Sequence, residues 1–181
     1  VADAAGVNLS LVSYHFNGKL GLYRSCIEEF GRVRENKATE TLQLPQSLEE
    51  FKVRYSFLVE DMMNFLVEQP YLCQIVFREI DEGLPIAKDI FEKTVMRTFT
   101  NLVQFIQHAK DKGYVRASID PMAVAMMTQA SLFHLVRTDK VRKEYFNISI
   151  MEEAFKKQSI ENILDMFFFG LLKQESTGDQ Q

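Results

Sequence analysis

The sequence predicts an all-α protein, and three observations support this fold class. Only 4 prolines and 8 glycines interrupt its 181 residues, so long helices can form. Apolar residues recur three and four positions apart over long stretches, which places them on one side of a helix. No segment shows the alternation of a half-buried strand, a repeat or a low-complexity composition. A chain of this length buries a real core in one or two domains.

The first predicted elements form a helix-turn-helix at the N-terminus. Gly6 suits the left-handed residue that ends a helix, and Asn8 suits the N-cap of the next one. One apolar residue separates them, which is the spacing of the short turn in this motif. In the helix that follows, Leu9, Val12 and Phe16 are three and four positions apart and are expected to face inward.

The outer face of this short helix is polar. Ser10, Ser13 and Tyr14 lie near its start, where side chains can enter a major groove of DNA. His15 and Lys19 lie towards its far end, where cations can meet phosphates. Because helix-turn-helix patterns are degenerate, an ordinary helix pair with a polar outer face remains the alternative at this point.

Two longer helices are predicted next. One runs from near Asn17 to about Glu35, and Ser47 with Glu50 forms a capping box that opens the other. The second helix is expected to continue to about Glu68 with one apolar stripe. The predicted inward residues are Leu22, Cys26, Phe30 and Val33 in the first helix, and Leu48, Phe51, Tyr55, Leu58, Met62 and Phe65 in the second.

Prolines and glycines bound the middle helices. Pro70 suits the first position of a short helix that should stop at Gly83. Pro85 is expected to open a long helix that runs to a cap at Gly113. Its predicted inward residues are Ile86, Ile90, Phe91, Val95, Leu102 and Ile106.

The last two long helices begin at Asp120-Pro121 and at a second capping box, Ser149 with Glu152. Both are apolar over more than one stripe, so each must be covered on two sides. We expect a second copy of the chain to cover one side in a four-helix bundle, and Gly170 would allow close approach. The alternative is that these two helices lie at the centre of the core of a monomer. The predicted interface residues are Met127, Leu135, Phe167, Phe168 and Leu171.

Charge and cysteine content narrow the function classes. The net charge of -4 argues against broad, nonspecific nucleic-acid binding but leaves room for a local DNA-reading face. Cys26 and Cys73 have no metal or redox spacing, so both are expected to pack as small apolar side chains in the reducing cytoplasm. The longest stretch without charged residues, 121–136, is shorter than the roughly 20 residues of a membrane span, which predicts no membrane association.

Catalytic and metal sites are not predicted. No two of His15, His108 and His134 have metal-ligand spacing. Glu79 and Glu82, three positions apart, are expected to form a solvated helix end. There is no phosphate-cradling glycine loop and no nucleophile–base pair, so we expect neither an enzyme nor a cofactor.

The N-terminal motif resembles the DNA-binding signature of the tetracycline-repressor (TetR/AcrR) family of bacterial regulators. The resemblance rests on the runs Ala4-Ala5-Gly6-Val7-Asn8, Tyr14-His15-Phe16 and Leu22-Tyr23, together with Lys19. It implies that Leu9, Ser10, Ser13 and Tyr14 face the groove or the bases, that His15 and Lys19 face phosphates, and that Val12 and Phe16 lie in a small core.

The sequence departs from the family pattern in three ways. Leu9 and Leu11 stand where polar side chains are frequent, and Gly21 within a helix costs about 1 kcal/mol relative to alanine. The family's first helix and the start of its second are absent from the sequence, which opens on Val1. We therefore expect a partial DNA-binding unit.

The resemblance implies a dimeric, ligand-responsive transcriptional regulator, most simply a repressor released from operator DNA by a small, largely apolar effector. Residues 1–35 would form the partial helix-turn-helix and connecting helix, and residues 36–181 the ligand-binding and dimerisation domain. With 15 Phe and 8 Met, the chain offers adaptable apolar surface for such an effector, although for any single one of these residues a place in the core is the better interpretation. The candidate effector-binding residues are Tyr55, Met62, Phe65, Phe77, Phe91, Phe99 and Gln129.

Two alternatives remain open. One is a helical module that binds an apolar molecule and has no DNA role. The other is a small all-helical enzyme, which the absence of an acid–base constellation disfavours.

Overall fold

Nine α-helices occupy the described part of the chain, and the predicted all-α class is confirmed. The computed structural model describes Gly6 and residues 8–172, without the side chain of Leu9. Within this part, the only extended pairing is an isolated bridge between Val115 and Leu172. The helices are α1 (Leu9–Phe16), α2 (Gly18–Thr41), α3 (Leu48–Glu68), α4 (Pro70–Asp81), α5 (Lys88–Lys93), α6 (Val95–Asp111), α7 (Pro121–Arg137), α8 (Asp139–Phe146) and α9 (Glu153–Leu171).

The chain divides into two compact units, and each combines distant stretches of sequence. The first comprises Val1–Lys37 and Gln69–Thr98, and the second comprises Ala38–Glu68 and Phe99–Gln181. The first unit therefore groups α1 and most of α2 with α4 and α5. The boundary predicted between residues 35 and 36 separates a DNA-binding part from a ligand-binding part. It is defined by function and stays a prediction.

In the first unit, α1 has the predicted N-cap. The Asn8 side chain accepts a hydrogen bond from the Ser10 N–H at 3.1 Å, while Asn8 itself is extended with φ -72° and ψ 142°. Gly6 has the predicted left-handed conformation, with φ 65°. Asn17 also adopts a left-handed conformation, with φ 56° and ψ 40°, and ends α1. The helix that follows, α2, extends past the predicted end at Glu35.

A predicted helix over 85–113 is wrong, because two shorter helices replace it. α5 ends at Lys93 and α6 begins at Val95, and Thr94 between them has φ -123° and ψ -69°. The Ile90 carbonyl accepts both the Thr94 hydroxyl at 2.8 Å and the Thr94 N–H at 3.0 Å, and a second bond of this kind often bends a helix. The residues after Pro85 form a turn, so the helix also begins later than predicted.

The second unit is built around α3, which packs against α7 and α9. Its predicted capping box is confirmed: the Glu50 N–H donates to the Ser47 hydroxyl at 3.1 Å. The Glu50 carboxylate accepts from the backbone N–H of Gln46 at 2.7 Å, one residue earlier than the usual reciprocal bond. The largest fully buried side chains of this unit are Phe51, Tyr55, Met63, Leu66, Phe105, Ile106, Leu132 and Ile150.

The predicted start of α7 is confirmed, whereas the next boundary differs from the prediction. The Asp120 carboxylate accepts hydrogen bonds from the N–H groups of Met122 at 2.8 Å and Ala123 at 3.1 Å. A short helix, α8, follows that the sequence did not predict. The predicted second capping box is wrong, because the Ser149 hydroxyl bonds the Asp139 carboxylate at 2.9 Å instead of the α9 backbone. The N-cap of α9 is Glu152, whose side chain makes no capping bond.

Candidate functional site

The polar face of α1 is exposed. Ser10, Ser13, His15 and Lys19 are all exposed, and Tyr14 is 82% exposed. The ring of Tyr14 lies edge-on to that of His15, with centroids 5.2 Å apart. Ser10, Ser13, Tyr14 and His15 are therefore accessible on α1, and Lys19 is accessible in the first turn of α2. The side chain of Leu9, together with Ala4, Ala5 and Val7 of the motif, lies outside the described residues.

The apolar side of α1 is only partly covered by the described residues. Val12 is half-buried, but Phe16 is 38% exposed. Leu11 and Leu20 are also exposed, at 46% and 57%. The prediction that Phe16 lies in a small core is therefore not met within the described part of the chain.

The first turns of α2 are held by two adjacent side chains. The Tyr23 hydroxyl donates a 2.9 Å hydrogen bond to a carboxylate oxygen of Glu79 in α4. Next to it, the Arg24 guanidinium pairs with Asp89 of α5 at 2.7 Å and also donates to the carbonyl of Ile86. Burial, and then the hydrogen bond to Glu79, raise the pKa of Tyr23 to about 12. The sequence identified Tyr23 only as part of the motif shared with the family. It did not predict the hydrogen bond to Glu79.

Glu79 is fully buried, which corrects the prediction that it lies on a solvated helix end. Its carboxylate accepts hydrogen bonds from the backbone N–H groups of Ile86 and Ala87, both at 2.7 Å, in addition to the Tyr23 hydroxyl. Burial opposes ionisation, but these three donors outweigh it and lower the pKa of Glu79 below its ordinary value of 4.5. Glu82 does lie on the exposed end, paired with Arg78 at 2.8 Å.

The predicted effector-binding residues are divided between the two compact units. Phe77 and Phe91 belong to the first unit, where both are buried. The remaining five belong to the second unit. Of these, Tyr55 and Met62 are buried, and Phe65, Phe99 and Gln129 are half-buried.

Tyr55 is firmly integrated into the second unit. Its hydroxyl lies 2.6 Å from the Thr128 hydroxyl, and its ring lies against those of Phe51, Phe167 and Phe168. Burial raises the pKa of Tyr55 above its ordinary value, and the hydrogen bond to Thr128 acts in the opposite direction. The Tyr55 hydroxyl is thus already hydrogen-bonded within the protein, and the ring packs in the core of the second unit.

The second unit also has an open cleft of about 420 Å³ beside the start of α7, between residues such as Val103, Lys110 and Met122. None of the predicted effector-binding residues lines it. Its charged groups have partners: Lys110 donates to the Ile119 carbonyl at 2.7 Å, and Asp120 caps α7. The cleft therefore does not correspond to the expected apolar site.

The predicted interface residues differ in exposure. Met127 is 60% exposed, and Leu135, Phe167 and Phe168 are half-buried. Leu171 is only 3% exposed, so little of its side chain remains for a partner. The assignment of these residues to an interface stays a prediction. Exposed apolar side chains on the same two helices that were not assigned are Met122, Met126, Met166 and Phe169.

Among the described residues, no three His, Cys, Asp or Glu side chains come together in a way that suits a metal ion. No helix in this part of the chain combines the length and the apolar character that a membrane crossing needs.

Solved structures of other proteins are similar to this chain in fold. A TetR family transcriptional regulator from Chloroflexus aurantiacus J-10-FL is similar, with a TM-score of 0.66 and 15% identity over 96% of this chain and 82% of that one. A protein of unknown function from Rhodococcus sp. RHA1 has a TM-score of 0.70, with 14% identity over 95% of this chain and 82% of that one.

A third similar structure is described as the molecular basis for control of antibiotic production by a bacterial hormone. Its TM-score is 0.58, with 17% identity over 95% of this chain and 84% of that one. No protein-family model matches the sequence, and no curated protein matches it. The chain therefore has the fold of the TetR-family regulator, which confirms the resemblance at the level of the fold.

Proposed function

We propose that this protein is a dimeric, ligand-responsive DNA-binding regulator of transcription that acts as a repressor. The observation that carries the proposal is the exposed polar face of α1, presented at the start of the long helix α2. This face contains Ser10, Ser13, Tyr14 and His15, and Lys19 is exposed in the first turn of α2. The proposal is supported by a fold shared with a TetR-family transcriptional regulator.

The DNA-reading role divides between two kinds of contact. Ser10 in the first turn of α1, and Ser13 and Tyr14 in its second turn, suit base edges in a major groove. His15 and Lys19 suit phosphates, which orient a protein on DNA without reading sequence. The overall charge of -4 is consistent with a local contact face of this kind rather than a broadly basic surface.

The proposed dimer is supported by exposed apolar side chains on α7 and α9. Met127 is 60%, Met166 is 77% and Phe169 is 84% exposed, and such large side chains on two long helices suit a helix-bundle interface. In a twofold dimer the two copies of α1 would meet successive major grooves. Their separation must then match one turn of DNA, about 34–36 Å.

The effector is proposed to be small and largely apolar. The half-buried Phe65, Phe99 and Gln129 offer two aromatic contacts and one polar group within the second unit. An effector releases the protein from DNA only if it binds the conformation that cannot bind the operator more tightly than the conformation that can. α2 would transmit this conformational change to α1, because it begins directly after that helix.

The decisive experiment is operator binding by the full chain, using duplexes selected from a random-sequence pool. We expect enrichment of a palindromic site and a retarded complex whose affinity falls steeply with salt, because phosphate contacts release counterions. Failure to bind any duplex at any salt concentration would reject the regulator hypothesis. If the same protein still bound an apolar fluorescent probe stoichiometrically, a small-molecule binding module would be the better description.

A further inference from the structure

The turn between α4 and α5 contains a strained residue. Gly83 and Leu84 both have left-handed backbones, with φ 80° and 63°. Glycine adopts this conformation freely, but leucine does not, and Leu84 also precedes Pro85, a position that favours extended backbone. Conformations of this kind persist only when their surroundings hold them.

The group that holds this turn is Glu79. Its main-chain carbonyl accepts the N–H of Leu84 at 2.8 Å. Its carboxylate accepts the N–H groups of Ile86 and Ala87, both at 2.7 Å, on the other side of Pro85. One residue of α4 therefore binds the chain before and after the proline, and its charged group is fully buried.

The same carboxylate also holds α2. The Tyr23 hydroxyl donates to the second carboxylate oxygen of Glu79 at 2.9 Å. The neighbouring Arg24 donates to the carbonyl of Ile86, whose N–H is bound to Glu79. The turn and the first part of α2 thus share hydrogen-bonding partners within one compact unit.

We propose that Glu79 is a positioning residue that keeps the Leu84 turn in its strained conformation and fixes Tyr23 on the same carboxylate, so that the turn and α2 change position together. This rests on the proposed function only in that α2 carries the DNA-facing helix α1. In this proposal, a change in the turn reaches α2 through the hydrogen-bonding partners that the two share.

The first test is a double-mutant cycle in urea. Leu84→Gly alone should lower the equilibrium constant for unfolding about tenfold, because it relieves the strain. In a Glu79→Gln background the turn has already relaxed, so the same change should alter that constant by less than about twofold. Equal effects of Leu84→Gly in both backgrounds would overturn the proposal. Glu92→Gln, an exposed carboxylate of α5, is the matched control and should leave the Leu84→Gly effect intact.

The second test uses Tyr23→Phe and remains decisive if Glu79→Gln does not fold. Hydrogen bonds link Tyr23 to the N–H groups of Ile86 and Ala87 through the Glu79 carboxylate. We expect amide hydrogen exchange at Ile86 and Ala87 to accelerate at least about tenfold in Tyr23→Phe. Unchanged exchange would show that α2 and the turn are independent. Tyr71→Phe, which alters a tyrosine 80% exposed on α4, should leave these rates unchanged.

Both tests use the protein without DNA, so they remain informative if the regulator hypothesis fails. The link to DNA reading is measured separately, as the ratio of operator to nonspecific affinity in Tyr23→Phe. A fall in this ratio of about tenfold is expected if α2 positions α1, and an unchanged ratio would overturn that step alone.

Discussion

Gly31 of α2 lies directly against the side chain of Thr94, at the break between α5 and α6. A methyl group at Gly31 would overlap the Thr94 hydroxyl and its Cβ. The glycine is therefore required by the close approach of α2 to this break. Thr94 in turn occupies its position because its hydroxyl donates to the Ile90 carbonyl at 2.8 Å.

Gly31→Ala should therefore destabilise the protein, by about 1–3 kcal/mol, since it overpacks a closed contact. Removing all the obstructing atoms, the Thr94 Cβ included, in Gly31→Ala/Thr94→Gly should recover part of this loss. Urea unfolding measures both changes. Gly170→Ala is the control, because no atom lies near its added methyl group and the helix gains propensity. A destabilisation of Gly31→Ala no larger than that of Gly170→Ala would contradict this explanation.

The contrast between Gly31 and the helix caps shows which features sequence reasoning predicts. Asn8, Ser47 and Asp120 each bond a backbone group within three residues, so local sequence was sufficient to predict them. The break at Thr94 depends on a distant helix, and its apolar spacing alone favoured a continuous helix. Contacts between distant segments were therefore the part that could not be predicted.

The candidate sites follow the same division. The exposure of the residues proposed to face DNA was predictable, because α1 is short and its polar spacing is local. Glu79 was not, since its burial depends on Tyr23, 56 positions earlier, and on a turn that is held by non-local hydrogen bonds. Likewise, helical periodicity identified α7 and α9 as doubly apolar but could not distinguish the buried Leu171 from the exposed Phe169.

Tyr14→Ala should weaken operator binding about tenfold to a hundredfold, while nonspecific affinity changes little. The reason is that Tyr14 is 82% exposed on α1 and is proposed to face the groove, whereas His15 and Lys19 are proposed to contact phosphates. Competition titrations with selected and scrambled duplexes measure the two affinities. Tyr145→Ala, at a similarly exposed tyrosine of α8, serves as the control. Equal losses on both duplexes would remove Tyr14 from the base-reading set.

Phe169→Glu should shift the protein from dimer to monomer without unfolding it. The side chain is 84% exposed in its own chain, so a charge there has little cost in the monomer but a large one in an apolar interface. Sedimentation equilibrium gives the mass, and circular dichroism gives the helix content. Tyr71→Glu, on α4, should leave the mass unchanged. An unaltered mass for Phe169→Glu would place the interface elsewhere.

Acid should remove the stabilisation that Glu79 provides. Its pKa is lowered in the folded protein, because the Ile86, Ala87 and Tyr23 donors outweigh the effect of burial. A lowered carboxyl pKa means that this stabilisation is fully present above the ordinary value of 4.5 and is lost as pH falls through the folded-state pKa. Glu79→Gln should therefore destabilise the protein most at neutral pH, and its difference from the wild type should shrink in acid.

Urea midpoints measured from neutral pH down into the acid range would follow this difference directly. Glu92→Gln is the control, because its exposed carboxylate lies 4.0 Å from Lys88 and such pairs contribute little. The Glu92→Gln curve should run parallel to that of the wild type. If the Glu79→Gln curve also ran parallel, the buried carboxylate would not carry the charge that its three hydrogen bonds require.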